Sequence, residues 1–295
     1  MVEPLYTINA ESISSLAMEE ACSATSSLES GQVIYLPNLA FHLHNKEHVV
    51  LSDEILHPKH KNVSYDHQRQ RLAGVVAATD DNQLQTTVQN FVYRFAEFAK
   101  DLVDTLLPQY SQSLRWGRTS YRPAEIKGRI TSKRKDDTRL HVDSFPATPV
   151  QGLRILRVFS NINPNGVPRV WNLGEPFVKV LSEFAPAIPA HQPFKAKIMH
   201  WVKATKALRS PYDHYMLQLH DRMKLDDRYQ QTVSKQRMDF PAMSTWIVFT
   251  DQVSHAALSG QFLLEQTFYL PVSAMANPST SPLKLWEEQR SSALI

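Results

Sequence analysis

Residues 138–145 read Thr138-Arg139-Leu140-His141-Val142-Asp143-Ser144-Phe145, and residues 245–257 read Thr245-Trp246-Ile247-Val248-Phe249-Thr250-Asp251-Gln252-Val253-Ser254-His255-Ala256-Ala257. The first stretch contains His-x-Asp. On an extended chain, residues i and i+2 share a face, so His141 and Asp143 converge on one point. The second is an apolar strand with a histidine just past its end, and the intervening chain is long enough to fold His255 back beside the pair. Two imidazoles and one carboxylate can occupy one face of an octahedron. That leaves positions open for a co-substrate and O2, the pattern of non-haem iron(II). Catalytic zinc commonly works with one open position and water, and suits the set less well. His-x-Asp alone is a weak motif, and the bland reading of both histidines is as ordinary core residues.

Working outward, short strand-like pieces surround these stretches: Leu114–Tyr121, Leu140–Asp143, Leu153–Ile162, Pro168–Asn172, Thr245–Thr250 and Leu263–Pro271. Residues 175–229 read as helical, interrupted by Pro186, Pro189, Pro193 and Pro211. The clearest helix spans 83–106, where Val88, Phe91, Val92, Phe95, Phe98, Ala99, Leu102 and Leu106 recur at three- and four-residue steps until Pro108. Such a stripe is the packing face of a support helix. Residues 10–30 also read as helical, with Gly31 as the stop and a strand over Val33–Leu36. Residues 42–70 hold six of the twelve histidines, but their irregular spacing among polar residues reads as an exposed loop. The expected fold is α+β, a double-stranded β-helix (jelly roll, cupin-like) with supporting helices and a helical insert. The chain is expected to form a single oxygenase domain over 1–295. Residues 1–110 would be mainly helical support, and 111–275 the core, with the insert at 175–229.

Composition narrows the function. The 295 residues are 42% hydrophobic, enough for a sizeable core, and carry a net charge of +3 with pI about 8.8. That mild basicity does not argue for nucleic acid and suits an acidic small molecule or an anionic surface. Cys22 is the single cysteine, so no disulfide forms within the chain and a reducing compartment is expected. It sits in the helical stretch Glu11–Leu28 with nothing to activate it. Met1-Val2-Glu3-Pro4 does not read as a signal peptide, and no run approaches the ~20 apolar residues of a membrane span. A cytoplasmic protein is expected, and peripheral membrane contact is compatible with that.

An oxygenase of this type that uses 2-oxoglutarate needs a cation for the distal carboxylate, and arginine suits it. Many double-stranded β-helix oxygenases carry that cation on the strand after the distal histidine. Here that strand reads Ser259-Gly260-Gln261-Phe262-Leu263-Leu264-Glu265-Gln266-Thr267, with no basic residue. The substitutes are Arg154 and Arg157 in Leu153-Arg154-Ile155-Leu156-Arg157-Val158-Phe159, and Arg169 in Pro168-Arg169-Val170-Trp171. Arg154 and Arg157 are three apart and point to opposite faces of a regular strand, so one of them is expected to reach the co-substrate.

Five stretches together resemble the Kdo hydroxylases. They are Thr138–Phe145, the run Leu153-Arg154-Ile155-Leu156-Arg157-Val158-Phe159-Ser160-Asn161-Ile162-Asn163-Pro164, Thr250–Ala256, Arg209-Ser210-Pro211-Tyr212-Asp213-His214-Tyr215-Met216, and Leu219-His220-Asp221. The resemblance covers roughly residues 30–285. It implies a dioxygenase that consumes O2 and 2-oxoglutarate and needs iron(II). It implies hydroxylation at C3 of 3-deoxy-D-manno-oct-2-ulosonic acid (Kdo) to D-glycero-D-talo-oct-2-ulosonic acid (Ko), on a Kdo-lipid A glycolipid of the lipopolysaccharide inner core. His141, Asp143 and His255 match the metal motif of that family. It does not decide between the arginines.

The implied substrate is acidic. Arg118, Arg122, Lys127, Arg129, Lys133, Arg134 and Lys135 precede His141 and read either as a cationic rim or as a solvated loop. Tyr212, His214 and His220 in the insert, with Arg122, are candidate sugar contacts; the alternative is a solvated helix surface. The membrane expectation then sharpens to peripheral attachment at the inner face of the cytoplasmic membrane. Two competing readings remain: an oxygenase of the same fold acting on another metabolite or a protein side chain, and a non-enzymatic jelly-roll binding module.

Overall fold

In this computed structural model, residues 3–76, 82–128, 131–194, 201 and 205–295 are described. The two sheets of a jelly roll organise them. The large sheet has the order β1-β2-β9-β6-β11-β5-β3-β4: β1 Leu5–Thr7, β2 Val33–Leu36, β9 Ser244–Phe249, β6 Arg154–Asn161, β11 Leu263–Leu270, β5 Arg115–Arg122, β3 Val63–Asp66 and β4 Arg71–Ala73. The small sheet has the order β10-β7-β8: β10 His255–Ser259, β7 Arg169–Leu173 and β8 Gln236–Phe240. An antiparallel bridge between His141 and His255 extends it by one more segment.

Every residue of β6 and β9 is buried, as in strands covered on both faces. Strand parity then sorts their side chains. Phe159 and Trp246 are register partners and point inward, where Phe240, Trp171, Val248 and Leu263 join them between the sheets. Phe240 stacks on Trp246 at 4.2 Å between ring centroids, and Trp171 meets Trp246 edge-on at 5.7 Å. Leu156, Val158, Ile247 and Phe249 point the other way, into a core shared with Ala99, Leu102, Val103 and Leu106.

Those last residues belong to helix α2, Asn82–Leu106, whose bounds lie within a residue of the expected 83–106. Its stripe is buried except for the half-buried Phe98, and Phe91 and Phe95 pack with Tyr121 and Leu264 in a second cluster. Burying each large apolar side chain contributes about 1.5–3 kcal/mol, so this face fixes the helix on the sheet. Helix α1 begins at Met18, later than the expected residue 10, after a short 3-10 turn at Ile13–Ser15. The first 110 residues also give four strands to the large sheet. Residues 42–70 include 3-10 turns and β3 rather than loop alone. The insert contains helices Phe177–Phe184, Pro211–Leu225 and Asp227–Thr232.

The expected strand Leu140–Asp143 is reduced to the bridge at His141. The backbone there is held by other partners: Leu140 donates to the Gln230 side chain at 2.9 Å and accepts from it at 2.9 Å.

Arg154 points to the helix side of the sheet. It is fully buried, donating through Nε to Asp251 Oδ2 at 2.7 Å and through Nη2 to Gln252 Oε1 at 2.7 Å, with its guanidinium 3.8 Å from the Phe249 ring centroid. Removing one member of a buried ion pair strands the other charge. Asp251→Ala is therefore expected to cost about 3–5 kcal/mol in chemical denaturation, and a loss below about 1 kcal/mol would contradict the assignment.

Candidate metal centre

The bridge that ends the small sheet builds the site. His141 N–H donates to His255 O at 3.0 Å, and His255 N–H donates back to His141 O at 2.9 Å. Residues paired in this way project their side chains on one face, and the two rings lie 4.6 Å apart. Two residues on, Asp143 N–H donates to Thr250 O at 2.7 Å, which fixes the third member. One candidate ligand atom from each of His141, Asp143 and His255 lies within 4.8 Å of the other two. Among the described residues no other group of this kind forms, and the histidines of 42–70 contribute none.

The protonation pattern follows from the contacts. His141 Nδ1 is 2.8 Å from Arg139 O, and His255 Nδ1 is 2.8 Å from Val253 O. A carbonyl only accepts, so each Nδ1 carries the proton and each Nε2 lone pair is free for a metal. Burial pushes both histidines down, His141 strongly, and the neighbouring His255 lowers His141 further. Burial alone would raise Asp143, but the Arg157 guanidinium and the two histidines hold it well below the usual carboxylate range. Two neutral imidazoles and an ionised carboxylate are the donor set of a non-haem iron site. Asp143 Oδ2 is buried and has no hydrogen-bond partner, although Arg157 Nη2 approaches to 3.2 Å, so it retains a lone pair for a cation.

The neighbouring side chains are cationic and incompletely paired. Arg157 faces the triad, as parity requires once Arg154 faces the helices. Its Nη1 reaches Glu265 Oε1 at 3.2 Å, and Arg122 Nη2 reaches Glu265 Oε2 at 2.8 Å. Arg169 lies two residues before Trp171 on β7 and shares its inward face. Its Nη1 donates to Gly260 O at 2.8 Å, and among the described residues no carboxylate pairs with it. That approach needs Gly260: φ is +112°, and a Cβ would lie 3.1 Å from Arg169 Cα and Cδ. Burial, then the nearby Arg122 charge, push Arg169 down to about 9. The Nε atoms of Arg122, Arg157 and Arg169 and the Trp171 Nε1 are all buried without partners. Trp171 also stacks on the His255 ring at 5.0 Å. A dry wall of unused donors beside a candidate metal site fits an anionic oxygen-rich ligand.

The remaining expected residues separate. His220 comes to the site, its ring edge-on to His141 at 5.4 Å and its Nδ1 3.0 Å from Asp221 Oδ1. Tyr212 does not: it is a core residue on the helix side, 1% exposed, and its expected sugar contact is not sterically available. His214 faces the other way along the same helix, with Nε2 3.0 Å from Pro189 O. The expectation for Arg154 fails likewise, because its donors are spent on Asp251 and Gln252. The basic run before His141 acts chiefly as a latch. Arg134 pairs with Asp221 at 3.0 Å, and Lys133 and Arg139 both pair with Asp227 at 2.6 Å. Arg118 pairs with Asp66, Lys127 is exposed, and Arg129 lies outside the described residues. Glu265 and Trp171 were not singled out as site residues from sequence; the signal for Glu265 was an acid where a base was expected.

The model of the 3-deoxy-D-manno-oct-2-ulosonic acid (Kdo) hydroxylase family matches residues 12–292. The chain belongs to the Kdo hydroxylase family. Structures of a second Kdo hydroxylase, KdoO, described as a non-heme Fe(II) alphaketoglutarate dependent dioxygenase, are similar throughout. Its cobalt(II) complex matches with TM-score 0.96 and 46% identity, covering 99% of this chain and 98% of that one. Its complex with alphaketoglutarate and Fe(III) matches with TM-score 0.95 and 46% identity over the same shares. Its complex with succinate and Fe(III) matches with TM-score 0.94 and 45% identity, again over 99% and 98%. Curated proteins include no match.

For this Kdo hydroxylase, His255→Ala removes one of the three candidate donors and keeps the backbone bridge to His141. Anaerobic iron(II) titration is expected to give one site per chain in the wild type and at least about a 100-fold weaker site in the variant, at the upper end of the cost of disturbing a ligand shell. Equal affinity would show that iron binds elsewhere.

Proposed function

We propose that this Kdo hydroxylase uses iron(II), 2-oxoglutarate and O2 to hydroxylate C3 of Kdo, giving Ko, on a Kdo-lipid A glycolipid. The observation that carries the reading is the convergence of the His141, Asp143, His255 triad with buried arginines whose donors are not all used. Iron(II) with 2-oxoglutarate and O2, when bound, supplies hydroxylation of an unactivated C–H bond, with succinate and CO2 as by-products.

The chain's own residues do the positioning. His141 and His255 offer Nε2 because Arg139 O and Val253 O hold the opposite nitrogens. Asp143 offers an oxygen and stays ionised beside Arg157. Arg157, Arg122 and Arg169, with the Trp171 N–H, are the donors for the 2-oxoglutarate carboxylate. Phe159, Trp246 and Val248 line the apolar interior behind them and keep water from the oxidising centre. His220, edge-on to the His141 ring, is the candidate contact for a sugar hydroxyl or carboxylate. The whole is read as one oxygenase domain.

The test is product analysis under air with Kdo-lipid A, iron(II) and 2-oxoglutarate. Ko and succinate are expected in equal amounts. Succinate without Ko would place the enzyme on another substrate, and neither product would favour a binding module.

A lipid-borne substrate also bears on location, and we read the chain as a peripheral protein of the inner face of the cytoplasmic membrane. No described helix is long and apolar enough to cross a membrane. The stretch Pro193-Phe194-Lys195-Ala196-Lys197-Ile198-Met199-His200-Trp201-Val202-Lys203-Ala204-Thr205-Lys206-Ala207-Leu208-Arg209 alternates apolar and basic residues. Phe194 and Trp201 are 74% and 82% exposed. Its end is tied to the loop leaving Asp143, with Lys206 N–H on Ala147 O at 2.9 Å and Arg209 Nη2 on Pro146 O at 2.8 Å. Exposed aromatics among basic residues suit an anionic lipid surface. Sedimentation with phosphatidylglycerol vesicles is expected to drop at least about fivefold for the double variant Phe194→Glu, Trp201→Glu, on the scale of ~1 kcal/mol per surface group. Unchanged sedimentation would remove this stretch from the account.

A further inference from the structure

A carboxylate stands where the anionic co-substrate is to be held. Glu265 is 4% exposed on β11, opposite Phe159 on β6 and Ser120 on β5, so it points inward between Arg157 and Arg122. Its two oxygens are divided between them, Oε1 at 3.2 Å from Arg157 Nη1 and Oε2 at 2.8 Å from Arg122 Nη2. Burial alone would raise its pKa, but the two guanidiniums hold it below the usual range, so it stays charged. For binding a dicarboxylate this is adverse: the acid occupies two of the three cations and repels the incoming charge.

We propose that Glu265 is a built-in competing anion that weakens the hold of Arg122 and Arg157 on dicarboxylates and so hastens the departure of the product succinate. The inference rests on the reading that these arginines hold 2-oxoglutarate. That co-substrate and succinate share the same distal carboxylate, so a site that gripped one through unopposed guanidiniums would grip the other. Turnover then needs a hold strong enough to orient 2-oxoglutarate and loose enough to release succinate. A fixed internal acid meets both needs without motion. It also draws Arg157 away from complete pairing with Asp143, which leaves the Asp143 oxygen available to a metal. A purely structural role for Glu265 predicts the opposite effect of removing it, because loosened arginines would bind less well.

The experiment is anaerobic calorimetry of succinate and of 2-oxoglutarate on the iron(II)-loaded protein, with wild type, Glu265→Gln and Arg169→Ala. A neutral amide of the same shape is expected to tighten both ligands about 10- to 100-fold, the size of one like-charge repulsion inside a partly screened site. The inhibition constant of succinate and the KM for 2-oxoglutarate should fall together by the same factor. Arg169→Ala moves in the other direction, by about 10-fold or more. Glu265→Asp, whose charge sits one methylene further from both arginines, is expected to tighten binding less than the amide, and it stands in if the amide variant does not fold. Unchanged or weaker succinate binding in a folded, iron-loaded Glu265→Gln, or in the aspartate variant standing in for it, overturns this inference alone. No 2-oxoglutarate binding by the wild type overturns it together with the co-substrate reading.

Discussion

Two backbone hydrogen bonds between His141 and His255 hold the rest of this site in place. They join segments more than a hundred residues apart and make the two histidines direct antiparallel partners. Side-chain direction in a strand has a period of two, so a slip of one residue would turn one imidazole out of the site. The register is secured from both sides. β10 is locked to β7 through His255 opposite Leu173 and Ala257 opposite Trp171. The segment before His141 is clamped by the Gln230 amide and by Arg139, which donates to Lys224 O and pairs with Asp227. The insert therefore acts as a brace for the candidate metal ligands.

The same alternation separates two sets of buried charge in one strand. Arg154 and Arg157 are three residues apart on β6 and point to opposite faces. Arg154 is matched on the helix side by Asp251, Gln252 and the face of Phe249. It locks the strand that carries the metal-side arginine to the turn that precedes His255. Arg157 is shared between two acids, Asp143 and Glu265, and keeps an unused donor. Arg169 has a carbonyl but, among the described residues, no acid. One face of the sheet is thus electrostatically closed, and the other is left with donors that an anion can satisfy. Buried guanidiniums without a full complement are costly, and the cost is tolerable where a ligand offsets it.

Much of this was legible in the sequence. The period of Val88 through Leu106 defined α2 within a residue, because a long amphipathic stripe has few other structures. The apolar runs of β6, β9 and β11 were equally plain. His-x-Asp and the late histidine marked the triad because strand geometry leaves little choice for i and i+2. What was not legible follows from tertiary context. The 140–143 segment looks like a strand, but its partners are a glutamine side chain, a single bridge and the Thr250 carbonyl, which takes the Asp143 N–H. β8, Gln236-Arg237-Met238-Asp239-Phe240, is an edge strand whose polar face hides its nature. The parity rule showed that Arg154 and Arg157 diverge, but not which way the sheet faced. Tyr212 carries a hydroxyl in a helix of mixed polarity, and only packing reveals that its face is the core. Glu265 was visible only as a missing base, because its meaning depends on arginines from two neighbouring strands.

The central claim is that His141, Asp143 and His255 present iron to 2-oxoglutarate beside the arginine wall. Its most direct test is the metal-to-ligand charge-transfer absorption that appears when 2-oxoglutarate chelates iron(II), measured without O2 on wild type and His141→Ala. The account predicts a band in the wild type that forms with one iron and one 2-oxoglutarate per chain and is absent from the folded variant. A folded wild type that takes up both without the band, or a variant that keeps it, would contradict the account.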